Sequence, residues 1–241
     1  PDLMLGTVQP NADADKDLMK AAGVEWVRLG TPFPVVDRLG GELTPGYRRY
    51  RDIVADYAAA GIRVMGVTAQ PGSFQWHRAA DGTMAKRWRS RLPDWFGALD
   101  TPQGVSHYEA MCRWLGEDLT GAVRAWQVAT ELDISTFAGD LNPRQACDLI
   151  LAGARGLKGA DPSLIVGHNP AGSPEAYYFF GRLYGGGDGL LDYCGIDGYY
   201  GSWSPGGPED WARRIRELYE LTQTPVLINE WGFASAGGVM T

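Results

Sequence analysis

Two glutamates follow apolar stretches of the kind that form buried strands. Glu131 lies near the end of Arg124–Asp133 (RAWQVATELD), and Glu230 follows the apolar run in Thr224–Gly232 (TPVLINEWG). Apolar, β-branched runs bounded by turn residues are typical of strands buried on both faces of a parallel sheet. A carboxylate at the point where such a strand ends is held rigidly and still reaches open space.

Two opposed carboxyl groups can cleave an acetal. One must deliver a proton to the leaving oxygen while the other stays ionised beside the developing positive charge. A pair about 5–5.5 Å apart supports a double displacement with retention, whereas roughly 6.5–9.5 Å leaves room for a water molecule and gives inversion. Glu131 and Glu230 become candidates for this chemistry if the fold brings their strands to opposite sides of one opening.

The elements that must position these glutamates alternate between strand and helix. We predict seven strands, at Leu3–Val8, Val24–Leu29, Arg63–Thr68, Ala125–Ala129, Leu164–Gly167, Cys194–Tyr199 and Pro225–Asn229. The helices predicted between them cover Asp13–Ala22, Gly46–Ala60, Ser106–Leu119, Asn142–Gly159, Ser173–Tyr184 and Pro208–Leu221. Such alternation predicts a parallel sheet with right-handed crossovers. A long irregular stretch, Ala69–Gln103, is expected after the third strand.

The α/β pattern favours a (β/α)8 TIM barrel over a doubly wound open sheet. The open sheet would normally carry a glycine-rich phosphate turn after its first strand, but Val8–Asn11 contains Pro10 and no glycine. In a barrel, chemistry takes place at the carboxyl ends of the strands, where strands four and seven face each other. We expect one domain, 1–241, that is C-terminally incomplete because no eighth strand follows Glu230.

Composition excludes several classes of protein. The chain of 241 residues is 44% hydrophobic and 21% charged, which is ordinary for a globular domain. Its net charge of −7 argues against nucleic acid as a partner, and no apolar run approaches the length of a membrane span. No cysteine or histidine spacing resembles a zinc site, so neither metal nor cofactor is expected.

Compartment and oligomeric state stay open at this stage. No signal peptide is visible, but the chain begins at Pro1 without a methionine, so both secreted and cytoplasmic locations are compatible with it.

The chain resembles the retaining glycoside hydrolases of clan A, the 4/7 superfamily of (β/α)8 barrels with cellulase-like and β-xylosidase-like members. The resemblance rests on Trp126–Glu131 (WQVATE) and Val226–Gly232 (VLINEWG) and extends over seven of the eight strands. It implies that Glu131 is the general acid/base, that Glu230 is the nucleophile, and that the substrate is an oligo- or polysaccharide.

Further positions match this clan. Arg28 ends the second predicted strand, where the clan commonly has an arginine that hydrogen-bonds the nucleophile. A guanidinium there favours the charged form of a neighbouring carboxylate. Tyr199 or Tyr200 matches a tyrosine or histidine that lies beside the nucleophile. The chain departs from the clan at Thr130, where an asparagine usually binds the sugar 2-hydroxyl, so either that contact or full activity is in question.

Other residues follow the predicted strands and are candidates for sugar binding. Aromatic rings pack on the flat faces of sugars, and polar side chains bind hydroxyls. These candidates are Gln70, Trp76, His168, Asn169, Trp203 and Trp231. Asp133 is interpreted as a cap or loop residue, and Asp197, inside the sixth strand, as a buried structural carboxylate that is an outside candidate for function. The basic stretch Arg78–Arg91 is interpreted as a solvated loop face.

The sequence therefore predicts a glycoside hydrolase that acts with retention through Glu131 and Glu230. The main alternative is a non-catalytic carbohydrate-binding barrel that keeps the clan's shape, which Thr130 and the missing eighth strand suggest. A metal-dependent barrel enzyme such as an aldolase or isomerase is a third hypothesis, which predicts loss of activity with a chelator.

Overall fold

The computed structural model describes residues 6–8, 10, 14–172, 176–185, 189–200 and 206–232. Seven of the described strands form one parallel sheet in the order β1-β2-β3-β6-β7-β8-β9. Their bounds are β1 Gly6–Val8, β2 Trp26–Gly30, β3 Arg63–Val67, β6 Val123–Gln127, β7 Ile165–His168, β8 Tyr193–Gly198 and β9 Val226–Trp231. The predicted (β/α)8-type architecture is confirmed, without an eighth barrel strand among the described residues.

Helices connect successive barrel strands. They are α1 Lys16–Ala21, α2 Pro45–Ala59, α3 Pro102–Asp118, α4 Ser135–Ala138, α5 Pro143–Ala160, α6 Ala176–Tyr184 and α7 Asp210–Thr222. A 3-10 turn covers Asp94–Phe96. None of the helices in the described part of the chain has the length and apolar character to span a membrane.

The longest helices begin at residues that the sequence marks as caps. The side chain of Asn142 accepts a hydrogen bond from the backbone N–H of Gln145, and the side chain of Gln145 accepts one from the backbone N–H of Asn142. Pro143 occupies the first turn. Small residues let α5 approach α3, because a Cβ on Gly156 would lie 2.1 Å from the carbonyl oxygen of Glu109. The two helices therefore pack closely outside β6.

Side chains alternate between the two faces of each barrel strand. Outward-facing residues such as Trp126 and Val166 join the main hydrophobic core beneath the helices. Inward-facing residues form a small apolar layer inside the barrel, made of Trp26, Met65, Ala125 and Tyr193, with Leu227 packed against it. This layer fills the barrel interior below the carboxyl ends of the strands.

The stretch predicted as irregular, Ala69–Gln103, contains a β-hairpin, so that prediction is wrong. Strands β4 (Gly72–Arg78) and β5 (Met84–Ser90) pair in antiparallel register. Asp81 accepts a hydrogen bond from the backbone of Thr83, and Gly82 has a φ of 86°. An Asp-Gly pair between strands is a strong hairpin signal, and the aromatic residues beside it favour strands as well.

Gly66 lies opposite Trp126 in the paired strands β3 and β6. A Cβ there would lie 2.6 Å from the indole ring, which is fully buried. We expect Gly66→Ala to lower the free energy of unfolding by about 1–3 kcal/mol, since a close-packed core cannot absorb an extra methyl without moving. Urea denaturation measures the change.

The matched control is Gly181→Ala in α6, where no atom lies within 4 Å of the added Cβ. That substitution should raise the free energy of unfolding by about 0.5–1 kcal/mol, because glycine is a poor helix former. Equal effects at the two positions would contradict the packing described for the core.

Candidate active site

A polar layer lies directly above the apolar layer inside the barrel. It consists of the side chains two residues further along the same strands: Arg28 on β2, Gln127 on β6 and Asn229 on β9. On β8 the equivalent position is Gly195, where a Cβ would lie 2.4 Å from Oδ1 of Asn229 and 2.6 Å from the carbonyl oxygen of His168. Glycine at this position leaves room for the asparagine side chain.

A β-bulge turns Glu230 into the barrel. Ile228 pairs with Ile196, but the next pair is Glu230 with Asp197, so Asn229 is an extra residue. In a regular strand Asn229 and Glu230 would point to opposite faces, whereas a bulge re-aims the side chains that follow it. Both side chains here bind residues of the interior.

Arg28 connects the interior residues. Its guanidinium donates to Gln127 Oε1 at 2.8 Å and to Thr130 Oγ1 at 3.3 Å, and it forms an ion pair with Glu230 at 2.9 Å. The side chain is only 7% exposed, so water screens this pair weakly. The sequence placed Arg28 at a strand end; it lies instead in the middle of β2, which extends to Gly30.

Gln127 fixes the geometry around Arg28. Its Oε1 also accepts a hydrogen bond from Nδ2 of Asn229 at 2.7 Å. Its Nε2 donates to the carbonyl oxygen of Ala129 at 2.6 Å and to Thr130 Oγ1 at 2.9 Å. The amide therefore joins β2, β9 and the segment that leads to Glu131.

Glu131 lies in a constrained turn just after β6. Its φ is 49° and that of Ala129 is 52°, both in the left-handed region that non-glycine residues seldom adopt. The turn is held because Gln70 exchanges two hydrogen bonds with the backbone of Thr130, and the backbone N–H of Glu131 donates to the carbonyl of Asn169 at 3.0 Å. Strained turns of this kind are found at sites where a side chain must be aimed.

The carboxyl group of Glu131 is mostly shielded from solvent. Its pKa is raised to about 7, chiefly by burial, next by the charge of Glu230 and also by that of Asp133. A hydrogen bond with Asp197 and the charge of Arg28 oppose this shift. Glu131 is therefore a carboxyl group that can hold a proton near neutral pH, whereas Glu230 is paired with a guanidinium.

Tyr199 binds the second oxygen of Glu230. Its hydroxyl donates to Oε2 at 2.6 Å, and burial together with this hydrogen bond raises the phenol pKa, so Tyr199 stays a neutral donor. Tyr200 is buried and its ring packs edge-on against Trp211. Of the two tyrosines considered from the sequence, the structure brings Tyr199 to the carboxylate.

The other candidates lie in different environments. His168 is fully buried; its Nδ1 contacts the carbonyl of Val128 at 2.7 Å, and burial lowers its pKa to about 4. Because a carbonyl can only accept, Nδ1 carries the hydrogen. Trp76 is 63% exposed on the hairpin and Trp231 is 64% exposed at the end of β9. Trp203 lies outside the described residues.

Three residues proved more important than the sequence suggested. Gln127 and Asn229 were missed, although each is a polar residue at an inward position of an apolar strand, which is a detectable signal. Asp197, considered only as an outside candidate, is 3% exposed and paired in register with Glu230. Asp133 is buried in the loop after β6 and accepts a hydrogen bond from the backbone of Ala171 at 2.8 Å.

Within the described ranges, no group of three or more histidine, cysteine or acidic side chains is arranged so that it could hold a metal ion.

Solved structures of glycoside hydrolases share the barrel fold of this chain. The chain is similar to a glucosidase from Croceicoccus marinus, with a TM-score of 0.65 and 17% identity over 99% of this chain. It is similar to a GH53 catalytic domain from Ignisphaera aggregans, with a TM-score of 0.65 and 18% identity over 97% of this chain and 69% of that one. A β-glucosidase from Pyrococcus furiosus gives a TM-score of 0.62 and 14% identity over 90% of this chain and 66% of that one.

These similarities agree with the resemblance found in the sequence, and at such identities they establish the fold. The chain spans 53% of the length of the Croceicoccus glucosidase. Neither a protein-family model nor a curated protein sequence matches the chain.

Replacing Gln127 by Met tests the role of the polar layer. Methionine fills a similar volume but leaves the buried donors of Arg28 and Asn229 without their acceptor. An unsatisfied buried donor costs about 1–3 kcal/mol, so we expect a loss of roughly 2–5 kcal/mol in the free energy of unfolding. A loss below about 1 kcal/mol in chemical denaturation would show that Gln127 does not hold this layer together.

Proposed function

We propose that this protein is a retaining glycoside hydrolase in which Glu230 is the nucleophile and Glu131 the general acid/base. The observation that carries the proposal is the unequal environment of two glutamates at one rim. Glu230 is held by Arg28 and Tyr199, whereas Glu131 is half-buried with a pKa raised to about 7. Two carboxyl groups with opposite protonation preferences are what acetal cleavage requires.

In the first step the Glu230 carboxylate attacks the anomeric carbon while Glu131 transfers its proton to the leaving glycosidic oxygen. The bond to that oxygen breaks, the aglycone leaves as an alcohol, and the sugar is bound to Glu230 as an ester. In the second step Glu131, now ionised, takes a proton from water as the water oxygen attacks the same carbon. The sugar leaves with its original configuration and both glutamates return to their starting states.

The surrounding residues support this division of roles. Arg28 and Tyr199 bind different oxygens of Glu230, which fixes the carboxylate plane for attack. Thr130 already accepts hydrogen bonds from Arg28 and Gln127. Its hydroxyl hydrogen remains available to donate to a sugar. A hydroxyl on a shorter side chain would then take the place of the asparagine amide that is usual in the clan. The second candidate function, a barrel that binds sugar without cleaving it, rests on Thr130.

We expect Glu230→Gln to lower kcat by several orders of magnitude on any substrate that the parent cleaves, because an amide cannot form the ester intermediate. A panel of aryl glycosides and polysaccharides, assayed with both proteins, measures this. Glu217→Gln, a change to an exposed acid on α7, is the control and should match the parent. Sugar binding without turnover by the parent would favour the binding barrel instead.

The pH dependence of kcat/KM follows from the state of Glu131. The free enzyme is active while Glu131 is protonated, so kcat/KM should fall about tenfold per pH unit above the pKa near 7. Below that pKa, kcat/KM should no longer change with the protonation of Glu131, because Glu131 is then fully protonated. A rate profile that stays flat from pH 6 to 9 would argue against Glu131 as the acid.

A further inference from the structure

The β4–β5 hairpin is a cationic element on an acidic protein. The chain has a net charge of −7, yet a single acid, Asp81, lies in the hairpin. Against it the strands and the residue that follows them carry the basic side chains Arg78, Lys86, Arg87, Arg89 and Arg91. The steps of hydrolysis described above do not use this concentration of positive charge.

The base of the hairpin adjoins the turn that carries Glu131. Gln70, two residues before β4, exchanges two hydrogen bonds with the backbone of Thr130, the residue before Glu131. The backbone N–H of Arg91 donates to the carbonyl oxygen of Pro71 at 2.9 Å, which closes the base of the hairpin. A polymer that binds along the hairpin would therefore lead to the rim where the two glutamates lie.

One face of the hairpin packs against the loop after β6. The ring of Trp88 lies edge-on to that of Phe74, with ring centroids 5.7 Å apart. A Cβ on Gly139, the residue after α4, would lie 2.8 Å from the same indole, so the ring is in contact with the backbone there. This packing holds the hairpin on the rim, and a surface that is held in place before binding loses less entropy when a ligand arrives.

The opposite face of the hairpin presents two arginines. Side chains alternate along a strand, so Arg87 and Arg89 lie on the side away from Trp88. Gln75 is paired in register with Arg87 and shares its face, and all three of these polar side chains are exposed. Among the described residues, neither Arg87 nor Arg89 has an ion-pair partner or accepts or donates a side-chain hydrogen bond. Both guanidinium groups are therefore available to a ligand.

Carboxylates are the anions that best suit these two guanidinium groups. A guanidinium and a carboxylate are both planar, so two parallel N–H···O bonds can join them. Side chains two residues apart on one strand are separated by about 6.5–7 Å, which lets one flexible chain bring an anionic group to each arginine. The amide of Gln75 can bind sugar hydroxyls beside them. A polysaccharide that contains uronic acids supplies both kinds of group.

We propose that this face of the hairpin binds the carboxylates of uronic acid residues, and that the substrate is accordingly an acidic polysaccharide. Arg87 and Arg89 bind the carboxylates, and Gln75 binds neighbouring hydroxyls. The cleavage of the bound chain rests on the proposed glycosidase function, whereas the binding does not. Because the arginines are exposed, salt should weaken the interaction.

The test measures binding of polygalacturonate and of alginate by isothermal titration calorimetry, with fully methyl-esterified polygalacturonate as the uncharged counterpart. The parent should bind the polyuronates, lose most of this affinity in high salt, and bind the ester much more weakly. We expect the double change Arg87→Gln and Arg89→Gln to raise Kd about tenfold.

The matched control is the double change Arg49→Gln and Arg216→Gln. It removes two exposed arginines from α2 and α7, and therefore the same net charge, away from the hairpin. Its Kd for both polyuronates should equal that of the parent.

The outcomes separate binding from cleavage. Equal effects of the two double changes, no binding of either polyuronate, or tighter binding of dextran sulfate than of the polyuronates would overturn the inference. The arginines would then serve to keep the exposed strands from pairing with other chains. Binding that depends on Arg87 and Arg89, in a protein that cleaves no glycoside, would keep the uronate-binding face and reject the proposed function. Hydrolysis of neutral glycosides without polyuronate binding would do the reverse.

Discussion

The site depends on a single buried cation, Arg28. Its guanidinium lies inside the barrel. It binds the amide of Gln127 on β6, the hydroxyl of Thr130 in the turn after β6 and the carboxylate of Glu230 on β9. A buried charge is tolerated when it is paired and its donors are satisfied. The positions of Gln127, Thr130 and Glu230 all follow from this requirement, and the arginine therefore links stability of the barrel interior to the chemistry at its rim.

The same cation sets the protonation states around it. Glu230, next to the guanidinium and the Tyr199 hydroxyl, has the interactions that suit a carboxylate. Glu131 is half-buried and Asp197 is buried, and neither forms an ion pair with Arg28 among the described contacts, so burial raises the pKa of both. In the proposed mechanism, the division between nucleophile and acid follows from the pairing of Arg28 with Glu230.

Much of this arrangement could be predicted from the sequence. The apolar runs before Glu131 and Glu230 indicated buried parallel strands, and the alternation with helices indicated a barrel in which those strand ends meet. The β4–β5 hairpin was missed because its long aromatic and basic side chains resemble a loop in composition. The bulge at Asn229 could not be predicted, since a one-residue slip depends on pairing with β8. The pairing of Asp197 with Glu230 depends on the same register, which sequence patterns do not specify.

Covalent trapping tests the central claim most directly. The protein would be incubated with a set of 2-deoxy-2-fluoro glycosyl fluorides, which form the ester and release it slowly, and the label would be located by peptide mass mapping. We expect one sugar per chain on the peptide that carries Glu230, and no label in Glu230→Gln. A label on Glu131 or on another residue, or one that persists in Glu230→Gln, would contradict it.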